Sequence, residues 1–342
     1  KSPLSGGYGE ADVGGFFGAE MKQAGFDAIV VQGKAAKPVY LWINNGEAEL
    51  RSAEHLWGKT TLETQETIQE ELGDKRVRLA MIGPGGEKMV RFACVINDLK
   101  HAAGRTGVGA VMGSKNLKAV AARGKPGIPV ADQDKVRELA RWMAANWKDK
   151  AWGMHDMGTN GGLSNLNAVG ALPTRNFQDG QFEGASKIDG AALRDTITID
   201  RGGCYACPIN CKRVVQVDDG DYKVNPIYGG PEYETVGAFG SNCGIDDLRA
   251  ISAANEICNA YSLDTIATGM MVSFAMECYE AGLLTKDRAD GLELTFGNGK
   301  AAVELTRKIA EREGIGDILA KGPNAAAEWV GPGAEQFVVA VK

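Results

Sequence analysis

Apolar and polar positions change their rhythm partway along the chain. Through residues 1–126 short apolar runs alternate with helical patterns, as an α+β or α/β arrangement does. Residues 15–24 read as a short helix and residues 28–32 as a buried strand. Strand-forming runs at 39–43 and 48–51 flank Asn44-Asn45-Gly46, a turn sequence that predicts a β-hairpin. Residues 60–72 carry an amphipathic helical pattern with Thr60 or Thr61 near its cap. Residues 77–82 read as a strand leading into the turn Gly83-Pro84-Gly85-Gly86.

An internal echo runs through this region. Gly14-Gly15-Phe16-Phe17 leads through a short helix to the apolar 28–32 and then Gly33-Lys34; Gly107-Val108-Gly109-Ala110 leads the same way to 118–122 and then Gly124-Lys125. The expectation is an α+β N-terminal domain with two pseudo-related β-rich halves, suited to a ligand with two similar ends. Chance similarity of two strand ends is the plainer alternative.

After a link at 127–134 the rhythm becomes helical. Residues 135–148, 246–261, 265–281, 301–313 and 317–330 read as helices, the second capped by Asp246 or Asp247. Residues 152–190 are rich in Gly and Asn and read as irregular active-site loops, and 337–341 read as a strand. Residues 127–342 are therefore expected to form a mainly α-helical domain.

Composition narrows the function classes. Glycine supplies 46 of 342 residues, about 13% against a usual ~7%, which suggests tight turns or backbone drawn close to a bulky ligand. A net charge of -6 without a basic stripe argues against a nucleic-acid partner. No apolar run approaches the ~18 residues of a membrane span. The cysteine count is 7. An odd number, with Cys204, Cys207 and Cys211 close together, fits a metal site in a reducing cytoplasm better than a disulfide framework.

Three passages carry chemistry. Cys204-Tyr205-Ala206-Cys207-Pro208-Ile209-Asn210-Cys211 offers soft thiolates for three corners of an iron–sulfur cluster. Zinc is the rival reading, but its usual sites add a second Cys pair or histidines, which are not nearby in sequence. Cys243, Cys258 and Cys278 are candidate fourth ligands, although each lies where a core cysteine would. The run 100–115, with His101, Ala102, Gly104 and Arg105, places glycine backbone before a helix and is a phosphate cradle or a plain turn. Glu234, in Pro231-Glu232-Tyr233-Glu234, is a carboxylate that could move a proton beside a metal.

Together these passages resemble the aldehyde ferredoxin oxidoreductase family over nearly the whole chain. The matching stretches are Lys1-Ser2-Pro3-Leu4, residues 14–31, 110–118, 204–211, 231–234 and 263–266. The resemblance implies tungsten (or molybdenum) held by two pterin dithiolenes, a nearby [4Fe-4S] cluster, and Mg2+ bridging the pterin phosphates. It makes Cys204, Cys207 and Cys211 cluster ligands, Glu234 the carboxylate near the metal, and Asp264 a pterin-binding aspartate. Asp12, where the family usually has asparagine, and Ala102 would hold the magnesium through backbone carbonyls. His101 stands at a cofactor-binding position that is often arginine in the family, a change that bears on its phosphate contact. The pterin motif D-x-x-G-L-D has drifted to Asn259-Ala260-Tyr261-Ser262-Leu263-Asp264. An iron site between subunits is not expected, because Ala253 and Glu256 occupy its E-x-x-H positions.

By the same resemblance a front segment and a third domain are missing, and with them the fourth cluster cysteine. The implied reaction is aldehyde plus water to carboxylic acid, with electrons passing to ferredoxin or an electron-transfer subunit in a homo-oligomer or larger complex. A family relative acting as an aromatic-ring (acyl-CoA) reductase subunit, or a non-catalytic iron–sulfur electron carrier, are the alternatives.

Overall fold

The computed structural model describes residues 1–125 and 127–340. Pro126, at the predicted domain boundary, and Val341, in the predicted terminal strand, lie outside the described residues. Asn45 (φ 50°) and Gly46 (φ 91°) both adopt left-handed backbone, which a two-residue hairpin turn of the right twist requires. They join β1 (Val39–Asn44) to β2 (Glu47–Ser52) in antiparallel register, Asn44 opposite Glu47. Four further strands, β3 (Arg78–Met81), β4 (Val95–Asn97), β5 (His101–Ala103) and β6 (Leu117–Arg123), complete a sheet of order β2-β1-β6-β3-β4-β5. Only β1 and β6 run parallel. Central β6 is buried along nearly its whole length, and its Lys118 is tolerated there because it ion-pairs with buried Glu87 and donates to the Lys59 carbonyl. The Thr61–Glu71 helix begins with a reciprocal capping box between Thr60 and Glu63.

The predicted strand at 28–32 does not form. Val30 is 82% exposed, and both edges of β1 are already taken by β2 and β6, so that segment cannot pair beside β1. The echo is consequently realised on one side only. Residues 107–123 fold as the Val108–Ser114 helix followed by β6, whereas the Phe17–Gln23 helix leads to no strand. Two pseudo-related β-rich halves are not seen. The turn at 83–86 is also different: Pro84–Glu87 closes as one helical turn, with Pro84 supplying a preset φ.

Residues from 127 onward are mainly helical, with two small hairpins, β7 (Thr198–Gly202) with β8 (Lys212–Val215), and β9 (Val217–Asp219) with β10 (Tyr222–Val224). The helix predicted at 135–148 runs Gln133–Met157, kinked at Ala151, and starts from an Asp132 cap. Short helices occupy much of 152–190 (Leu163–Ala168, Ala185–Ile188, Gly190–Thr196), so that stretch is less irregular than its composition suggests. Leu248–Tyr261, Thr265–Glu280 and Gly299–Glu311 match the predicted helices, with Asp247 as the first cap. The last predicted helix is split into Ile315–Leu319 and Pro323–Val330, since Gly322 and Pro323 end one and begin the next. In place of a terminal strand, Ala334–Phe337 forms a 3-10 turn.

One core joins the two regions. Val90, Phe92, Ala93 and Ala110 pack in the same cluster as Cys258, Leu263, Val272 and Phe274. Backbone bonds reinforce the seam: Cys94 N–H donates to the Ser262 carbonyl (2.8 Å) and Asp264 N–H to the Phe92 carbonyl (3.1 Å). That seam positions the site. Among the described residues, no helix is long and apolar enough to cross a membrane.

Candidate functional site

Cys204, Cys207 and Cys211 occupy the tip of the β7–β8 hairpin, whose last pair is Gly202 opposite Lys212. Left-handed Ala206 and Asn210 coil the nine-residue tip tightly. Two anchors hold it. Buried Arg213 donates to the carbonyls of His155 (2.7 Å), Asp156 (2.7 Å) and Asn210 (3.2 Å). On the other side, Tyr205 N–H donates to the Gly15 carbonyl at 3.1 Å. All seven cysteines are free; the three at the tip are half-buried, while Cys94, Cys243, Cys258 and Cys278 lie in the core. Burial pushes the thiols of Cys94, Cys243, Cys258 and Cys278 upward, which suits inert packing rather than ligation. Among the described residues no three His, Cys, Asp or Glu side chains converge on one ion position.

The turn Gly14-Gly15 is wedged against this tip. A Cβ on Gly14 would lie 2.6 Å from Cys204 Sγ, and one on Gly15 (φ 92°) would lie 2.2 Å from Asn97 Oδ1. Only glycine permits that approach. Asn97 Nδ2 donates to the Gly14 carbonyl (3.1 Å), and Asp98 accepts from Phe16 N–H (2.6 Å). His101 lies behind them, 3% exposed, with Nδ1 4.0 Å from Cys204 Sγ. Burial, then the charges of Lys212 and Lys100, depress its pKa to about 4, so the imidazole is neutral near pH 7.

A cleft of about 280 Å3 opens beside the hairpin, lined among others by Asp12, Ala102, Gly104, Arg105, Glu234, Asn259 and Asp264. Arg105 Nη1 bonds Asp264 Oδ2 at 2.8 Å. The aspartate is 4% exposed, and its other oxygen caps the Thr265–Glu280 helix by accepting from Ile266 N–H at 3.0 Å. Burial raises the Asp264 pKa to about 6 against the opposing pull of Arg105. Asn259 donates its Nδ2 to the Tyr228 carbonyl (3.0 Å). An aspartate there could not make that bond. Ser262, where the family motif has glycine, sits at φ 62°, ψ 56° and accepts a hydrogen bond from Gly83 N–H at 2.8 Å.

Glu234 stands in the first turn of the Tyr233–Phe239 helix, where negative charge is favoured. It lines both the polar cleft and an adjoining apolar cavity of about 550 Å3, walled by Phe92, Phe177, Met270 and Phe274. Arg105 and Ile266 are shared by the two cavities. Glu232 is tied down instead, bonded to Lys212 (2.8 Å) and Thr159 (2.5 Å). Burial acts to raise its pKa, but the charge and hydrogen bond of Lys212, with Thr159, outweigh that and leave it below the usual carboxylate range.

The structure thus gathers Asp12, Ala102, Gly104, Arg105, Glu234, Asn259 and Asp264 on one cleft and the cysteine triplet on the adjacent hairpin. His101 does not line the cleft. The run 100–115 divides between the cleft, lined by Lys100, Ala102, Gly104 and Arg105, and packing of its later glycines. Gly109 and Gly113 touch the backbone of Cys94 and Gly86, and only Gly104 opens to the cleft. Lys100, Lys212 and Glu232 were not singled out from the sequence. They flank motif residues directly, and that adjacency was the available signal. The lining mixes the cations Lys100, Arg105 and Lys212 with the carboxylates Asp12, Glu232, Glu234 and Asp264.

Residues 1–124 match the family described as Aldehyde ferredoxin oxidoreductase, N-terminal domain, and 136–342 match Aldehyde ferredoxin oxidoreductase, domains 2 & 3. The tungsten-containing aldehyde ferredoxin oxidoreductase of Pyrococcus furiosus is 44% identical over 338 residues, 97% of this chain and 54% of that protein. Its counterpart from Thermococcus kodakarensis is 43% identical, covering 100% of this chain and 56% of that protein. The chain therefore spans about half the length of the curated relatives it matches. Among solved structures, the active-site complex of benzoyl coenzyme A reductase with 1,5-dienoyl-CoA superposes with a TM-score of 0.78 at 29% identity, over 96% of this chain and 51% of that one. By its sequence over both matched segments, the chain belongs to the aldehyde ferredoxin oxidoreductase family.

Proposed function

We propose that this chain is the cofactor-holding part of a tungsten-pterin enzyme that oxidises aldehydes to carboxylic acids with water. Electrons leave through a [4Fe-4S] cluster to ferredoxin or an electron-transfer subunit. The observation that carries the reading is a carboxylate, Glu234, at the junction of a cleft of mixed charge and an apolar cavity, with three thiols on the hairpin alongside. The relatives named for this activity support it.

When bound, the metal dithiolene supplies a Lewis acid and a two-electron sink, a role tungsten or molybdenum could fill. The chain supplies the surroundings. Lys100, Arg105 and Lys212 would offset the charge of the cofactor's phosphates, and the carbonyls of Asp12 and Ala102 would hold Mg2+. Asp264 and Asn259 would hold ring nitrogens, and the Arg105 ion pair keeps the Asp264 carboxylate in place. Cys204, Cys207 and Cys211 would ligate the cluster. Glu234 accepts the proton released as water or the hydrated aldehyde reacts. The neighbouring apolar cavity takes the aldehyde's carbon skeleton and keeps bulk water from it. A reducing cytoplasm fits the seven free thiols, and the same proposal has the chain act in a homo-oligomer or larger complex.

The test uses the full-length protein prepared without oxygen. Tungsten or molybdenum, pterin and iron should co-purify with aldehyde oxidation, and Glu234→Gln should lower turnover about 100-fold or more at unchanged metal content. Material with neither pterin nor a group-six metal, or a Glu234→Gln variant with wild-type turnover, contradicts the reading. The likeness to benzoyl coenzyme A reductase supports a second reading, reduction of an aromatic thioester. Turnover of an aryl-CoA with no aldehyde activity would select it.

A further inference from the structure

We propose that His101 is a positioning residue for the cluster: it donates its Nδ1–H to the Cys204 sulfur and thereby raises the potential at which the cluster accepts an electron. This inference rests on the cluster reading of Cys204, Cys207 and Cys211, and it goes beyond that reading by assigning a task to a side chain that faces away from the cleft.

The placement follows from strand alternation. In β5 the side chains of His101 and Ala103 are buried, while Ala102 between them faces the cleft. The imidazole therefore lies in the layer between the cofactor cleft and the thiol hairpin. Its Nδ1 is 4.0 Å from Cys204 Sγ, and with the ring 3% exposed water does not compete for the N–H. Gly14 keeps the space clear: a Cβ there would sit 2.6 Å from the sulfur and 3.7 Å from Nδ1. Nε2 is buried and has no hydrogen-bond partner. Cys204 Sγ lies within hydrogen-bonding range of Nδ1, with the Gly203 carbonyl as a second acceptor facing the ring, and donation to the sulfur takes the Nδ1–H tautomer.

A hydrogen bond to a cluster thiolate draws charge from the sulfur. It favours the reduced cluster, which carries one more negative charge, over the oxidised one. Removing the donor should therefore make the cluster harder to reduce.

The experiment takes the full-length enzyme, prepared anaerobically, and follows the cluster by EPR through a redox titration. His101→Leu fills the volume without a donor; His101→Asn can return an amide N–H near the place of Nδ1. At matched iron content, the midpoint potential of His101→Leu should shift negative while His101→Asn stays close to wild type. In parallel, ENDOR on the reduced wild-type cluster labelled with isotopic histidine should show a weak nitrogen coupling that His101→Asn loses. An unmoved potential in His101→Leu, equal shifts in both variants, or no histidine coupling in the wild type overturns the proposal. If His101→Leu does not load iron, the coupling measurement on wild type against His101→Asn decides alone. A wild-type protein without iron would remove the cluster reading itself. That result is distinct from an iron-loaded protein whose potential ignores His101.

Discussion

Replacing Ser262 separates two contributions that are joined at the end of the Leu248–Tyr261 helix. The residue is fully buried, caps the helix in left-handed conformation at φ 62°, and accepts the Gly83 N–H at 2.8 Å. A non-glycine residue in that conformation carries roughly 1 kcal/mol of strain or somewhat more. A buried N–H deprived of its acceptor costs about 1–3 kcal/mol. Ser262→Ala retains the strain and loses the bond, so it should destabilise by about 1–3 kcal/mol. Ser262→Gly loses the same bond and relieves the strain, so it should fall about 1 kcal/mol short of the alanine loss. The nearby backbone cannot close the gap, since a Cβ on Gly83 would already lie 2.6 Å from the Ala260 carbonyl oxygen. Urea unfolding of the three proteins, with midpoints compared at equal slope, measures both differences. A glycine variant as stable as wild type would mean that the Gly83 bond contributes no more than the strain it accompanies. Equal losses in glycine and alanine would refute the strain argument.

Asp264→Asn should change the pH dependence of stability in a defined direction. The native carboxyl titrates at about 6 instead of 3.8 because of burial, so the folded state binds the proton more tightly than the unfolded state. Wild-type stability therefore loses up to roughly 3 kcal/mol from this group as pH rises from about 4 to 6. The asparagine variant lacks that loss, and its stability relative to wild type should rise over the same window in urea unfolding at a series of pH values; a flat difference refutes the raised pKa. Gly14→Ala should drive the cysteine hairpin away from the β4–β5 corner. Its expected signature is lowered iron content with little change in far-ultraviolet circular dichroism, and full iron occupancy would show that the corner can give way.

Local chemistry explains what was legible in advance. The Asn45-Gly46 turn and the Thr60 and Asp247 caps are written in contiguous residues, so the elements they bound could be placed from sequence. The segment 28–32 was misread because an apolar run records a wish for burial or pairing, not whether a sheet edge is open. The three thiols were visible from spacing. Glu232 was passed over in favour of Glu234 because its burial depends on Thr159 and Lys212, which no sequence window brings together. His101 looked like a cleft residue, since the alternation that turns it toward Cys204 is apparent only once β5 is paired with β4.

The seam between residues 92–94 and 262–264 also bears on assembly. Arg105 reaches the cleft from one side of it and Asp264 from the other, so nothing can grip both until that docking is complete. Any group that spans the two adds its own binding free energy to the union of sheet and helices. Loading the cleft should therefore act as a fastener, and the empty protein should part along this line at a lower temperature than the filled one.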